Sequence, residues 1–237
     1  MTHVEQIGRI PDWIKNLRAP GYRNIFEFEI SPSTIYGTEQ LCGDWNGELL
    51  VLAQDFAPAD EVERLVRLGY SADEVYRHND GDGRYKTGLK TNNRLMSFLF
   101  GRNSLSVKPN PYKCGVLYGS ACFFLKTGTT SDELEAFKIG RPAFDGSLAV
   151  VRYVVEHMPN LKAVMCLGNR SRDMLITCND FEYRTKGGGL AKRGYSLPFY
   201  HAPHPSRGSN SAHEEAWDFL KNDSGLKIRS LIPTDQP

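Results

Sequence analysis

Four segments of the chain are apolar at neighbouring rather than alternate positions: 48–53, 115–125, 161–167 and 195–201. A strand with one wet face alternates with a period of two, whereas a strand covered on both faces reads as a continuous apolar run. These segments therefore predict buried strands of a mainly parallel sheet. Helical spacing occupies the intervals. Segment 60–68 follows Pro58-Ala59, and its Asp60-Glu61 is a favourable helix start. Segment 92–100 places Leu95, Met96, Leu99 and Phe100 on one face, and 131–137 opens on Ser131, Asp132 and Glu133. Segment 146–157 carries Leu148, Val151, Val154 and Val155, and 169–177 and 212–220 complete the helical set. Strands alternating with helices predict an α/β layer fold.

With 237 residues, 40% of them hydrophobic, the chain suffices for one sizeable core and is short for two. It reads as a single domain, 1–237, with its core at about 48–220. Residues 1–30 and 224–237 read as peripheral, and Gly187-Gly188-Gly189 as a flexible tip. No apolar run approaches the roughly 20 residues of a membrane span, and MTHVEQIGRIPDW lacks the pattern of a secretory signal. A cytoplasmic protein with no membrane partner is expected. The five cysteines, 42, 114, 122, 166 and 178, form no CxxC pair. They read as small buried hydrophobes in a reducing compartment, with no zinc or iron–sulfur spacing.

A formal net charge of +1 conceals an asymmetry. Residues 1–83 hold 7 Lys/Arg against 15 Asp/Glu, residues 84–210 hold 19 against 8, and residues 211–237 hold 3 against 5. Two acid-free stretches make most of the positive block. One runs from Arg84 to Lys108. The other runs from Arg184 to Arg207 and contains Arg184, Lys186, Lys192, Arg193 and Arg207. Glycines and aromatics interleave both. Such a surface suits a polyanion such as nucleic acid, and the ordinary alternative is two solvated loops.

Sites in open α/β sheets form at the carboxyl ends of the strands. The first strand ends in Gln54-Asp55-Phe56, the third in Gly168-Asn169-Arg170, and the fourth in His201-Ala202-Pro203-His204-Pro205-Ser206-Arg207. A carboxylate and an imidazole thus reach one crevice beside basic loops. Taken singly, Asp55 reads as a helix cap, His204 as a hydrogen-bonded loop histidine, and the prolines as turn stiffeners. Phosphate-cradling GxxxxGK[ST], dinucleotide-binding GxGxxG, the hydrolase elbow GxSxG and the deaminase HxE…PCxxC are all absent.

"LAQDFAP" followed late in the chain by "HPSRGSN", with "LKAVMCLGN" between them, resembles the uracil-DNA glycosylase superfamily over roughly residues 48–220. That superfamily has a motif close to Gly-Gln-Asp-Pro-Tyr after its first strand, a penultimate strand ending in Leu-Gly, and a motif beginning His-Pro-Ser after its last strand. The resemblance implies a three-layer α/β/α fold with a central four-stranded, mainly parallel sheet. It implies removal of uracil from DNA by cleavage of the N-glycosidic bond. Carried over, Asp55 activates water and His204 assists the leaving base. Gln54 and Phe56 lie at the base, Ser206 contacts a phosphate, and Arg207 begins the loop that enters the duplex. Arg184, Lys192 and Arg193 are the further DNA contacts expected from the basic stretch. The partner implied is uracil-containing DNA, chromosomal and bacterial-type, met by a monomer that needs no cofactor or metal.

The chain departs from the pattern at three places. The tyrosine that crowds the thymine methyl is missing, leaving Phe56 or Tyr85 to substitute. The asparagine ending the second strand is missing, leaving Asn92 or Asn93 to read the base, although Thr91 or Asn92 also suits a helix cap. The leucine of the inserting loop is missing, leaving Arg207 to fill the vacated stack or clamp phosphates. A glycosylase for another deaminated base or for mismatched thymine, a non-catalytic nucleic-acid-binding relative, and a purely structural α/β protein are the alternatives.

Overall fold

The computed structural model describes residues 10–27, 41–54, 58–60, 63, 94–95, 97–99, 115–127, 135–186, 197–205 and 207–226. In chain order the elements are helix α1 (Asp12–Lys15) and strands β1 (Tyr22–Asn24), β2 (Cys42–Gly43), β3 (Leu49–Ala53), β4 (Val116–Ser120) and β5 (Phe124–Lys126). There follow helix α2 (Pro142–His157), strand β6 (Ala163–Leu167), helix α3 (Asn169–Ile176), strands β7 (Phe181–Tyr183) and β8 (Leu197–Ala202), and helix α4 (Asn210–Ser224). Single 3-10 turns lie at Ile25–Glu27 and Glu135–Phe137. Arg94, Leu95 and residues 97–99 are helical, as are Ala59, Asp60 and Glu63.

The main sheet has the order β2-β4-β3-β6-β8-β7. β4, β3, β6, β8 and β7 are parallel and β2 is antiparallel to β4. The fold is α/β with a mostly parallel sheet, but the sheet is wider than the four strands expected. The extra members, β2 and β7, are edge strands of two and three residues, too short to carry a periodicity. The expected strand at 115–125 is two strands. β4 ends at Ser120, the chain turns, and β5 leaves the sheet to pair antiparallel with β1. The turn is held from outside: the Phe123 N–H donates to Ser147 Oγ of α2 at 3.0 Å.

Alternate residues of the strands enter two separate cores. Leu50, Leu52, Leu117, Val164, Cys166 and Phe199 meet Val150, Val151 and Val154 of α2 and Leu175 of α3. Leu49, Val51, Val116, Met165, Leu167 and Tyr200 meet Phe98, Leu99 and, from α4, Trp217 and Leu220. Helices therefore cover both faces, which is why the strands read as unbroken apolar runs. Burying each such side chain contributes about 1.5–3 kcal/mol. Helix ends obey local rules: Pro142 begins α2, Ser209 Oγ accepts from the Ala212 N–H at 3.2 Å, and Gly225 closes α4 in the left-handed region.

Residues 10–27, expected at the periphery, contribute to the core through a few side chains. Ile10 and Ile14 are buried in the cluster around α2. Asn24, also buried, donates from Nδ2 to the Ile14 and Leu17 carbonyls and accepts from the Phe26 N–H. No helix among the described residues is long and apolar enough to cross a membrane.

Candidate functional site

The parallel strands end level with one another. Ala53 lies opposite Ser120, Leu52 opposite Cys166, and Leu167 opposite Ala202. From β3 the chain steps outward to β4, and from β6 it steps the other way to β8 and β7. The gap between the β3 and β6 ends is thus the topological switch point, where α/β sheets open a crevice.

Three side chains or backbone segments meet there. Gln54 directly follows β3, Gly168 directly follows β6, and His204 stands two residues past β8. Gly168 has φ +94°, and a Cβ on it would lie 3.3 Å from Gln54 Oε1 and 3.6 Å from His204 Cβ. The backbone conformation favours glycine, and a Cβ there would also press on the carboxamide. The backbone around the junction is tied down. The Gly168 N–H donates to the Ala202 carbonyl at 2.8 Å, and the Cys122 N–H to the Gln54 carbonyl at 3.0 Å. Ser171 Oγ caps the Gly168 carbonyl at 3.0 Å.

His204 is half-buried, and burial is the main force that lowers its pKa below the ordinary histidine value, with the Arg207 charge and then His213 adding to it. The imidazole is therefore neutral near pH 7, a hydrogen-bond donor without a charge. Its loop is fastened at several points. The Arg207 N–H donates to the His204 carbonyl at 2.8 Å. Arg94 donates from Nη1 to the Pro205 carbonyl at 2.7 Å, from Nη2 to the Gly208 carbonyl at 3.0 Å, and from Nε and Nη2 to Asn210 Oδ1 at 3.0 and 2.7 Å. His213, fully buried on α4, stacks on Phe98 with ring centroids 4.7 Å apart. Its Nε2 lies 2.8 Å from the Arg207 carbonyl. A carbonyl only accepts, so Nε2 carries the proton, and the buried Nδ1 has no hydrogen-bond partner among the described residues. Burial also holds His213 below its ordinary pKa.

Of the residues expected at the site, Gln54 and His204 are brought together and Arg207 is exposed on the same loop. Arg184 follows the β7 end and pairs with Glu182 at 3.3 Å. Lys186 pairs with Glu215. The basic stretches are thus partly committed within the protein: Arg94, counted with the first stretch, is spent on the His204 loop. Asp55, Phe56, Tyr85, Asn92, Asn93, Lys192, Arg193 and Ser206 lie outside the described residues.

The strand-end reading passed over Arg94, Phe98 and His213. No local signal marks Arg94 or Phe98, whose partners lie more than a hundred residues along the chain, and His213 reads only as part of a helix. A second histidine, His201, faces the opposite core beside α3. Its Nε2 is buried with no hydrogen-bond partner among the described residues, and burial, then the Arg172 charge, pushes its pKa down to about 4. Among the described residues no three His, Cys, Asp or Glu side chains gather as a metal would require. The junction brings the Gln54 carboxamide and the Cβ of His204 against one glycine, next to a loop that carries the exposed Arg207. That set can hydrogen-bond a flat polar ring and receive negative charge developing on it. No protein-family model matches the chain, and no curated protein matches it as a relative.

Proposed function

We propose that this chain is a DNA glycosylase of the uracil-DNA glycosylase type, extruding uracil and hydrolysing its N-glycosidic bond to leave an abasic site. The observation that carries the reading is the meeting of Gln54 and His204 at Gly168. Two motif residues 150 positions apart in sequence share one junction, at the sheet end where such a site belongs.

The chemistry asks for what these residues supply. As the bond from the sugar C1′ to the uracil nitrogen breaks, its electron pair leaves with the base. Positive charge grows on the sugar and negative charge on the uracil oxygens. A neutral His204, donating toward a uracil oxygen, stabilises that anion where it forms. Gln54 offers both a donor and an acceptor to the base edge. Asp55, the next residue, is assigned the carboxylate that faces the sugar cation and activates water, whose oxygen completes the bond to C1′ as its proton passes to Asp55 and finally to the released uracil anion. A single such charge pair at about 4 Å contributes on the order of 4 kcal/mol at an effective dielectric near 20, or roughly three decades in rate. A base stacked in a duplex cannot reach the junction, so the nucleotide rotates out. Arg207 on the exposed loop holds the backbone meanwhile.

A single-turnover assay on a uracil-containing oligonucleotide tests this. Wild type should yield an abasic product, and Asp55→Asn should slow it by about two to four decades. Equal rates remove Asp55 from the mechanism. No release of uracil, hypoxanthine or mismatched thymine, with salt-sensitive DNA binding intact, leaves a binding module instead.

A further inference from the structure

His213 lies in the first turns of α4, behind the Ser209 cap. Side chains on a helix lean toward its N-terminus, so this one lies against the loop that enters the helix. An apolar pair often joins these two positions. Here an imidazole takes the helix side of the pair and a glycine the loop side. Gly208 has φ +78°, and a Cβ on it would lie 2.9 Å from Pro203 Cβ and 3.5 Å from His213 Nε2. The loop backbone thus passes directly beside the ring.

The ring is held on one side by Phe98, nearly parallel to it at 10°, and on its edge by the 2.8 Å bond from Nε2 to the Arg207 carbonyl. That bond bears on His204, because the Arg207 N–H in turn donates to the His204 carbonyl. A carbonyl asks only for a donor, and an amide would serve as well. What an imidazole adds is a second nitrogen that can take up a proton. Nδ1 is buried, with no hydrogen-bond partner among the described residues. An unpaired buried acceptor is a standing cost.

The charged and titratable groups facing the ring are basic. Arg94 comes from the helical segment that carries Phe98, and His204 comes from the loop, where Arg207 adds its own charge to His204. On α4 itself the neighbouring Glu214 and Glu215 are exposed, and Glu215 pairs with Lys186. The Arg207 and His204 carbonyls favour a charged ring, but burial outweighs them. The closed loop therefore keeps the ring neutral. A proton on Nδ1 is accommodated only when the loop lifts and water reaches the imidazole.

We propose that His213 is a positioning residue that works as a proton-operated latch: uncharged, it holds the Arg207 carbonyl and with it the His204 loop, and a proton on Nδ1 frees that loop. The open loop binds the proton at the ordinary histidine value, near pH 6.5. The latch is therefore fully closed above that pH and loosens as the pH falls below it. Its bearing on base release rests on the glycosylase reading; the latch itself does not.

Hydrogen exchange at the Arg207 amide, read as protection relative to its intrinsic rate, tests the latch in wild type, His213→Gln and His213→Phe. Glutamine keeps a donor and does not titrate, whereas phenylalanine keeps the stack on Phe98 and has no donor. At about pH 7.5, His213→Phe should be about fivefold less protected than wild type, and His213→Gln should lie between the two. From there to about pH 5, wild-type protection should fall by about tenfold or more. The fall should be at least about threefold smaller in His213→Gln, the remainder belonging to His204 on the same loop. An equal fall in wild type and His213→Gln, or wild-type protection in His213→Phe, overturns the latch. Single-turnover uracil release over the same range should follow, with a smaller loss toward acid in His213→Gln than in wild type; equal losses overturn its control of base release. If wild type releases no uracil at any pH, the glycosylase reading fails, and the exchange comparison alone upholds or overturns the latch.

Discussion

Replacing Arg94 by alanine should loosen the His204 loop without unfolding the sheet. The guanidinium makes four hydrogen bonds to three acceptors, the carbonyls of Pro205 and Gly208 and the Asn210 side chain. A hydrogen bond from a charged group contributes about 1.5–3 kcal/mol when protected. Only the bond to Pro205 is partly buried, and water replaces much of the remainder. About 2–3 kcal/mol is therefore expected for the set, or roughly 30- to 150-fold in the population of the open loop. Lysine should restore little, since a single ammonium on a flexible stem cannot span three acceptors as a planar fork does. Hydrogen exchange reads the effect directly. The Arg207 amide, bonded to the His204 carbonyl, should exchange faster in Arg94→Ala and Arg94→Lys by those factors, while amides of β3 and β6 keep their protection. Exchange at Arg207 within twofold of wild type in Arg94→Ala would refute the clamp.

Gly168→Ala should lower stability by about 1–3 kcal/mol, because φ +94° lies outside the range of an L-residue and the new methyl would crowd the Gln54 carboxamide; an unchanged urea midpoint would show that the junction relaxes freely. Stability should also fall on acidification from about pH 6.5 to 5, since His201, His204 and His213 all have lowered native pKa values, mainly through burial. The unfolded chain titrates near 6.5 and takes up those protons first, so stability is complete above that value and drains away below it. His201→Leu should flatten the profile, and a midpoint level across that range in wild type would contradict neutral buried imidazoles.

The parts of the fold legible in the sequence are those whose signal is local and long enough. β3 and β6 are five-residue runs buried on both faces, and continuous hydrophobicity reports that directly. β2 and β7 are too short to announce themselves. The break between β4 and β5 is invisible because Ala121, Cys122 and Phe123 are as apolar as their neighbours, and the chain turns for a hydroxyl on α2. Residues 10–27 hold no continuous apolar run like those of the strands, yet Ile10 and Ile14 are buried and Asn24 satisfies its amide on carbonyls that fold back around it. At the site, Gln54 and His204 follow from the rule that strand ends carry chemistry. Arg94 does not, because composition records a charge and not its acceptors, which lie more than a hundred residues away. Arg184 and Lys186 likewise count there as charges without their partners, Glu182 and Glu215.

The order of strands also has a consequence for synthesis. β3 sits mid-sheet, yet β6, which covers one of its edges, is made about 110 residues later. At ribosomal rates of roughly 5–20 residues per second, that edge stays bare for some 5–20 seconds. A nascent Leu-Leu-Val-Leu-Ala with open backbone donors is a template for another chain. Slowing translation between the two segments should lower soluble yield more than the same delay placed after β8.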